Sequence, residues 1–249
     1  MDYVEEIRSR KPLIHHLTNW VTIYDCAQMT RSVGALPVMA HAPEEVEDMV
    51  KLASALVLNI GTLTSDFVAA QILAAKGANQ KGIPVVLDIV GCGATPFRTE
   101  KTKEILDKVK VDIIKGNKGE ISALAGVSAE VRGVESIVSA DNIDEVSRDL
   151  SANFGATIVA TGEVDYISDS SETKECAAGH KLMGEVVGTG CMAASVLGCF
   201  AAVAEGANYL ESSFRALDFY GKAAERAAEG CGGPMDFKLR LCDKITLPF

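Results

Sequence analysis

The stretch GTGCMAASVLGCFAAVA at residues 188–204 joins a glycine turn to a long apolar run and predicts a turn that leads directly into a buried helix. Gly188 and Gly190 allow the backbone to turn sharply and to approach a ligand closely. The first amide N–H groups of a helix have no partner inside it, so they point at any anion that binds there. Phosphate chemistry at this turn is the leading hypothesis, and an ordinary glycine loop before a core helix is the alternative.

Composition and charge limit the classes of protein to consider. The chain has 249 residues, 48% of them hydrophobic, and no linker-like segment, so we expect one α/β domain over residues 1–249. The net charge of −10 leaves no basic surface for nucleic acid, which makes a small molecule the expected ligand. The N-terminal residues lack the pattern of a signal peptide, and no apolar run reaches the roughly 18 residues of a membrane span. A cytoplasmic protein without a membrane partner is therefore expected.

Apolar runs alternate with segments of helical periodicity along the first two thirds of the chain. This alternation predicts βαβ units and a mostly parallel sheet. The hairpin predicted at 164–178 turns through residues 169–172 and precedes the glycine turn and three helices. The predicted strands are 55–61, 83–91, 111–117 and 156–162, and the predicted helices are 64–81, 98–108 and 142–153.

Polar residues lie where the predicted strands end, namely Asn59, Asp88, Lys115–Asn117 and Thr161–Gly162. Ligands of open α/β sheets bind at this edge. Asp88 is costly to bury unless a cation or a donor meets it, and Glu120 follows the next strand closely. Two such carboxylates suit Mg²⁺ that is also held by nucleotide phosphates, although a helix cap or a salt bridge is the alternative for each.

Eight blocks follow one another along this sequence: PLIHHLTN (12–19), PVMAHAPEE (37–45), LNIGT (58–62), PVVLD (84–88), GCGATPFR (91–98), KGN (115–117), TGEVD (161–165) and GTGC (188–191). In this order they resemble the hydroxyethylthiazole kinase family. The resemblance implies a three-layer ribokinase-like fold, with a central, mostly parallel sheet flanked by helices, and a homotrimer. It also implies MgATP-dependent phosphorylation of 5-(2-hydroxyethyl)-4-methylthiazole for thiamine biosynthesis or salvage.

The same resemblance implies roles for individual residues. The thiazole contacts fall on Met39, Gly188 and Asn19, and the ATP contacts fall on Thr161 and on Lys115, where the family commonly has arginine. The magnesium positions fall on Asp88 and Glu120. The catalytic turn falls on Thr189, Gly190 and Cys191. Relatives of this fold usually carry aspartate as the base where Cys191 stands, and a helix N-terminus favours a thiolate. His16 stands where asparagine is expected. In the implied trimer, residues 15–19 and Met39 would face a neighbour's glycine turn.

Other functions stay open at this point. A hydroxymethylpyrimidine kinase or an ATP-dependent dehydratase of the same fold would share the glycine turn and the polar strand ends, but both usually place aspartate where this chain has Cys191. A non-enzymatic nucleotide-binding module is a third interpretation. Asp88, Glu120 and Lys115 argue against it, because a simple binding module has no need of all three together with the turn.

Overall fold

The computed structural model describes residues 2–132 and 142–247, and its centre is an eight-stranded sheet in the order β2-β1-β3-β4-β5-β6-β7-β8. Strands β1 to β6 pair in parallel, and β7 and β8 continue the sheet in antiparallel pairing. The strands are β1 (Leu13–Leu17), β2 (Leu36–Val38), β3 (Ala55–Asn59), β4 (Val85–Asp88), β5 (Ile113–Asn117), β6 (Thr157–Thr161), β7 (Asp165–Ser168) and β8 (Thr173–Cys176).

Helices cover both faces of the sheet because successive strand residues point to opposite sides. Val57 packs in one core with α1, α2, α8, α9 and α10, whereas its neighbours Leu56 and Leu58 pack in a second core with α3, α4, α5 and α7. The helices are α1 (Tyr3–Arg10), α2 (Ile23–Val33), α3 (Val46–Leu52), α4 (Ser65–Lys81), α5 (Pro96–Lys108), α6 (Lys118–Arg132), α7 (Ile143–Phe154), α8 (Thr189–Ala201), α9 (Tyr209–Ala228) and α10 (Pro234–Lys244). The predicted three-layer α/β class is confirmed.

The elements predicted from periodicity are present with small changes at their ends. All four predicted strands form, as β3 to β6, and the three predicted helices form as α4, α5 and α7. The hairpin is β7 and β8, and Asp169 closes its turn by accepting the N–H groups of Ser171 and Glu172. Strands β1 and β2 were not predicted. Within the described part of the chain, no helix has both the length and the apolar character needed to cross a membrane.

Candidate active site

Three polar residues lie side by side on adjacent strands, on one face of the sheet, and two of them, Asn59 and Asp88, are the last residues of their strands. Asn59 of β3 is in register with Asp88 of β4, and Asp88 is in register with Lys115 of β5. The Lys115 ammonium donates to Asp88 Oδ1 at 3.0 Å, and the Asn59 amide donates to Asp88 Oδ2 at 2.8 Å. All three side chains are buried. Since Val57, two residues before Asn59, packs in the same core as α8, this face of the sheet points toward α8.

The buried ion pair keeps both of its partners charged at neutral pH. Burial raises the pKa of Asp88 to about 6, against the opposing effect of the nearby Lys115 ammonium. Burial acts to lower the pKa of Lys115, but the charge of Asp88 and its hydrogen bond outweigh that effect, so the pKa lies above its ordinary value. A single charge buried at this depth would be strongly unfavourable, so each of these residues depends on the other.

The glycine turn begins α8 and lies against the ion pair. Gly188 has a φ of +97°, and a Cβ atom there would lie 2.6 Å from Thr22 Cγ2, so only glycine fits. A Cβ on Gly190 would lie 3.1 Å from the Nζ atom of Lys115, which shows how closely the ammonium approaches the turn. Thr189 is fixed by side-chain donation to the Met183 carbonyl at 2.7 Å. The predicted turn into a buried helix is confirmed, with α8 beginning at Thr189.

Cys191 lies in the first turn of α8 and accepts hydrogen bonds from two amides. Its Sγ atom is 3.3 Å from Nδ2 of Asn19 and 3.3 Å from Nδ2 of Asn59. Both asparagines and Cys191 belong to the same chain. The expectation that residues 15–19 face a neighbour's glycine turn is therefore wrong for Asn19, because its amide donates to the Cys191 sulfur of its own chain.

Glu120 caps the helix that follows β5. Its Oε2 atom accepts the N–H of Asn117 at 2.7 Å, while the Asn117 side chain accepts the N–H of Glu120 at 2.8 Å. This reciprocal pair is a capping box. The Oε1 atom of Glu120 accepts the N–H of Gly91 at 2.7 Å. Glu120 therefore makes the helix cap, and Asp88 the salt bridge, that the sequence offered as alternatives to magnesium binding. The magnesium role of both residues stays a prediction.

Two other predicted residues lie outside the hydrogen-bonded cluster around Cys191. Thr161, at the end of β6, donates to the carbonyl of Gly116 at 3.2 Å and so faces the strand next to its own. Met39 is half-buried just after the edge strand β2. His16 is buried beneath the cluster on β1, with ring contacts to the Ile14 carbonyl and the Thr30 hydroxyl, and burial lowers its pKa to about 4.

Two residues organise this site in ways that the sequence did not predict, since Thr22 was not singled out and Asn59 was predicted only as a polar residue at a strand end. Thr22 donates its N–H and its hydroxyl to Asn19 Oδ1, each at 3.1 Å, which fixes the orientation of that amide. Asn59 bonds both Asp88 and Cys191. The available signal was its position at the end of an apolar run, the same position that Asp88 occupies on the next strand. Among the described residues, no group of three or more His, Cys, Asp or Glu side chains is arranged to hold a metal ion.

Comparison with known proteins shows the family of this chain. The family model described as "Hydroxyethylthiazole kinase family" matches residues 4–248. The chain belongs to the hydroxyethylthiazole kinase family. It is similar to the hydroxyethylthiazole kinase of Methanosarcina mazei, with 52% identity over 242 residues that cover 97% of this chain and 92% of the relative. It is also similar to the structure of the hydroxyethylthiazole kinase protein from Pyrococcus horikoshii OT3, with a TM-score of 0.89, 41% identity, and coverage of 98% of this chain and 91% of that one.

Membership of the hydroxyethylthiazole kinase family makes the chain a kinase that carries out ATP-dependent phosphoryl transfer in thiamine biosynthesis. A ribokinase-like superfamily protein of Enterococcus faecalis shares the fold, with a TM-score of 0.66 at 14% identity and coverage of 99% of this chain and 95% of that one. The predicted ribokinase-like fold and the predicted family are both confirmed. The family assignment favours the thiazole kinase over the alternatives of the same fold.

Proposed function

We propose that this kinase transfers the γ-phosphoryl group of MgATP to the hydroxyl of 5-(2-hydroxyethyl)-4-methylthiazole at the glycine turn. The positions of Cys191 and Lys115 support the glycine turn as the place of the reaction. The Cys191 sulfur lies in the first turn of α8, held by two amide donors, and the Lys115 ammonium reaches the same turn at Gly190. A proton acceptor and a fixed positive charge thus meet beside unpaired helix amides, which are the groups that phosphoryl transfer to an alcohol requires.

On the substrate side, Asn19, Met39 and the backbone of Gly188 are the proposed thiazole contacts. Both amide hydrogens of Asn19 are used in the free protein, one by Asn59 Oδ1 at 2.9 Å and one by the Cys191 sulfur. An alcohol that binds between Asn19 and Cys191 would share or replace the second of these bonds. The hydroxyl would then lie beside the sulfur that accepts its proton.

On the nucleotide side, Lys115 and Thr161 are the proposed contacts, and the turn amides of Thr189 and Gly190 stabilise the transferring oxygens. A lysine ammonium has three hydrogens, and one of them bonds Asp88. Others are free to bond a phosphoryl oxygen at the turn, to which Lys115 contributes a point charge in place of the two-pronged contact of arginine. Charge stabilisation and positioning supply most of the acceleration in such a reaction.

Magnesium fits this site through Glu120 better than through Asp88. Asp88 is fully buried and each of its oxygens already accepts a hydrogen bond, one of them from a cation. Glu120 is only half-buried, and each of its oxygens accepts one backbone N–H, which leaves further acceptor capacity. Mg²⁺ is bound by one or two carboxylates together with phosphates and water, and it would neutralise charge on the phosphate oxygens. We propose Glu120 as the direct carboxylate, with Asp88 acting chiefly through Lys115.

The activity is tested by measuring ADP release with ATP, Mg²⁺ and a panel of thiazole, pyrimidine and sugar alcohols. We expect the thiazole alcohol to drive ADP formation and to give a product heavier by one phosphoryl group in mass spectrometry. A far higher kcat/KM for hydroxymethylpyrimidine than for the thiazole would contradict the assignment of substrate.

A homotrimer is the proposed assembly, and exposed apolar side chains beside the glycine turn support it. The ion pair between Lys238 and Asp25, at 2.6 Å, brings α10 next to α2 at this place. The exposed side chains are Val21, Tyr24, Val187, Met235 and Leu239. Contiguous exposed apolar surface marks an interface in many proteins. One kinase domain over residues 1–249 in the cytoplasm, without a nucleic acid or membrane partner, completes the proposal, and the continuous sheet and the net charge of −10 support it.

The assembly prediction is tested with Tyr24→Asp, which places a charge among these apolar side chains. We expect light scattering to give three times the 26.3 kDa mass of the chain for the native protein and a lower mass for the variant. Leu52→Asp is the matched control, because Leu52 is equally apolar and 68% exposed but lies on α3, in the opposite helix layer. A fully active native monomer would contradict the trimer.

A further inference from the structure

Asn59 occupies the centre of the polar cluster and makes four hydrogen bonds while almost completely buried. Its Nδ2 group donates to Asp88 Oδ2 at 2.8 Å and to Cys191 Sγ at 3.3 Å. Its Oδ1 atom accepts the N–H of Gly61 at 2.8 Å and the Nδ2 group of Asn19 at 2.9 Å. A single side chain therefore joins the ion pair to the residue at the start of α8.

The orientation of both amides follows from their partners. The N–H of Gly61 can only donate and the ionised Asp88 can only accept, so the oxygen of Asn59 must face Gly61 and its nitrogen must face Asp88. Asn19 is fixed in the same way, because its oxygen accepts two backbone N–H groups, from Val21 and Thr22. Both nitrogens are thus turned toward Cys191, whose sulfur is held as an acceptor. A thiolate accepts hydrogen bonds better than a thiol does.

We propose that Asn59 is a positioning residue for phosphoryl transfer, which holds the Cys191 sulfur as an acceptor and ties it to the Lys115–Asp88 ion pair. The proposal rests on the proposed function. In the transfer, the alcohol oxygen forms a bond to the γ-phosphorus while the bond from that phosphorus to the ADP oxygen breaks. The alcohol proton passes to Cys191 Sγ, which the two amides keep pointed at the reacting hydroxyl.

The charged and titratable groups around Cys191 come from each element that packs against it. Lys115 on β5 favours a negative sulfur by its charge, and Asp88 on β4 opposes it but is neutralised by Lys115. Cys26 on α2 donates to the Thr22 hydroxyl, and Tyr220 on α9 donates to the Thr189 carbonyl. Asn59 is the group that separates the Asp88 carboxylate from the sulfur and presents a donor to each. Loss of the Asn59 amide would remove one donor from each of these two acceptors.

The test uses Asn59→Ala and Asn59→Ser in the full chain without substrates. Alkylation of Cys191 by iodoacetamide is followed against pH, with each cysteine resolved by peptide mass spectrometry. We expect the midpoint for Cys191 to move upward by about one pH unit or more, because a hydrogen bond to a charged acceptor is lost. Asn79→Ala is the matched control, since Asn79 also exchanges two hydrogen bonds, with the backbone of Lys110, at a distant site. It should leave the midpoint unchanged.

Steady-state kinetics of the same variants give a second test. We expect kcat with the thiazole alcohol to fall at least tenfold in Asn59→Ala while KM for ATP changes less than threefold, with partial recovery in Asn59→Ser, as estimated from one lost bond to a charged group. An unchanged midpoint and an unchanged kcat in a folded variant would overturn the proposal. A shifted midpoint in a protein that phosphorylates no thiazole would leave the role of Asn59 intact and overturn the proposed function instead.

Discussion

The Lys115–Asp88 pair gives the prediction that the structure fixes most closely. Asp88→Asn keeps the shape of the side chain and removes its charge, which leaves the Lys115 ammonium buried without a counterion. The side chains of the pair are 5% and 0% exposed, and their atoms are 3.0 Å apart. Solvent therefore has almost no access to the charge that remains. We expect the variant to be strongly destabilised.

The magnitude follows from the burial of the pair. Removing one partner of a buried ion pair costs about 3–5 kcal/mol of the free energy of unfolding. In a chain of this length, each kcal/mol lowers Tm by roughly 2–4 °C. The expected fall in Tm is therefore between roughly 6 and 20 °C. The hydrogen bond from Asn59 to Asp88 Oδ2 adds to the loss. In Asp88→Asn, the NH₂ group of the introduced amide can face the NH₂ group of Asn59, which places two donors against each other.

Thermal unfolding followed by circular dichroism measures the effect, and two further variants control it. Asp48→Asn removes the partner of Lys51 from a pair that is shorter, at 2.6 Å, but 71% and 80% exposed, so its Tm should hardly change. The double change Asp88→Asn with Lys115→Met removes the buried charge itself and should recover most of the lost stability. It should not recover turnover, because the positive charge at the glycine turn is gone.

Equal Tm values for Asp88→Asn and Asp48→Asn would refute this reasoning, because they would mean that water reaches Lys115 freely. Failure of Lys115→Met to restore stability would show instead that the hydrogen bonds of Asp88, and not its charge, dominate. In the structure, the carboxylate is as much a part of the core as of the site.

Further predictions concern single residues of the site and its surroundings. Cys191→Ala should lower kcat by about 10²-fold or less, and Cys191→Asp should keep or raise it, in steady-state kinetics; a normal rate in Ala with an inactive Asp variant would contradict a role as base. Glu120→Gln should reduce turnover and weaken the Mg²⁺ dependence in a metal titration, and an unchanged titration would return Glu120 to its capping role. His16 is neutral in the fold with a pKa of about 4, so the stability linked to it is present above pH 6.5 and lost as the pH falls to 4. The stability advantage of native protein over His16→Asn in urea unfolding should therefore shrink by about 3 kcal/mol across that range, and a pH-independent difference would contradict the shift.

Much of the fold was predictable because its signals are local. The strand that ends at Asp88 is a run of apolar residues closed by one polar side chain, which is typical of a buried parallel strand. Strand β1 escaped prediction because His15 and His16 interrupt its apolar pattern, although the structure buries both. Strand β2 has only three residues, too few to show an alternating pattern. Pro37 in its middle cannot donate a backbone hydrogen bond, so the strand is suited to the edge of the sheet, where the structure places it.

The proximity of some candidate residues was predictable from the sequence, but their atomic contacts were not. The rule that ligands bind at the carboxyl ends of strands predicts that Asp88 and Lys115 lie near one another. Which atoms meet depends on the register of β3, β4 and β5 and on where α8 begins, and these are set by packing across the whole sheet. The same limit explains the error over Asn19, since no local pattern says whether a side chain reaches its own chain or a neighbour.

The charges of the site suit the proposed role of Cys191 as the base, at the position where relatives of this fold usually have aspartate. Lys115 is already balanced by Asp88, so a permanent carboxylate at residue 191 would be a second negative charge near one cation. A cysteine adds no permanent carboxylate there, and the amides of Asn19 and Asn59 donate hydrogen bonds to its sulfur. Phosphoryl transfer with a loose transition state demands little early removal of the alcohol proton, so a weak base suffices. The arrangement favours stability of the buried site over the fastest proton transfer, and this is why Cys191→Asp should gain turnover only with some loss of Tm.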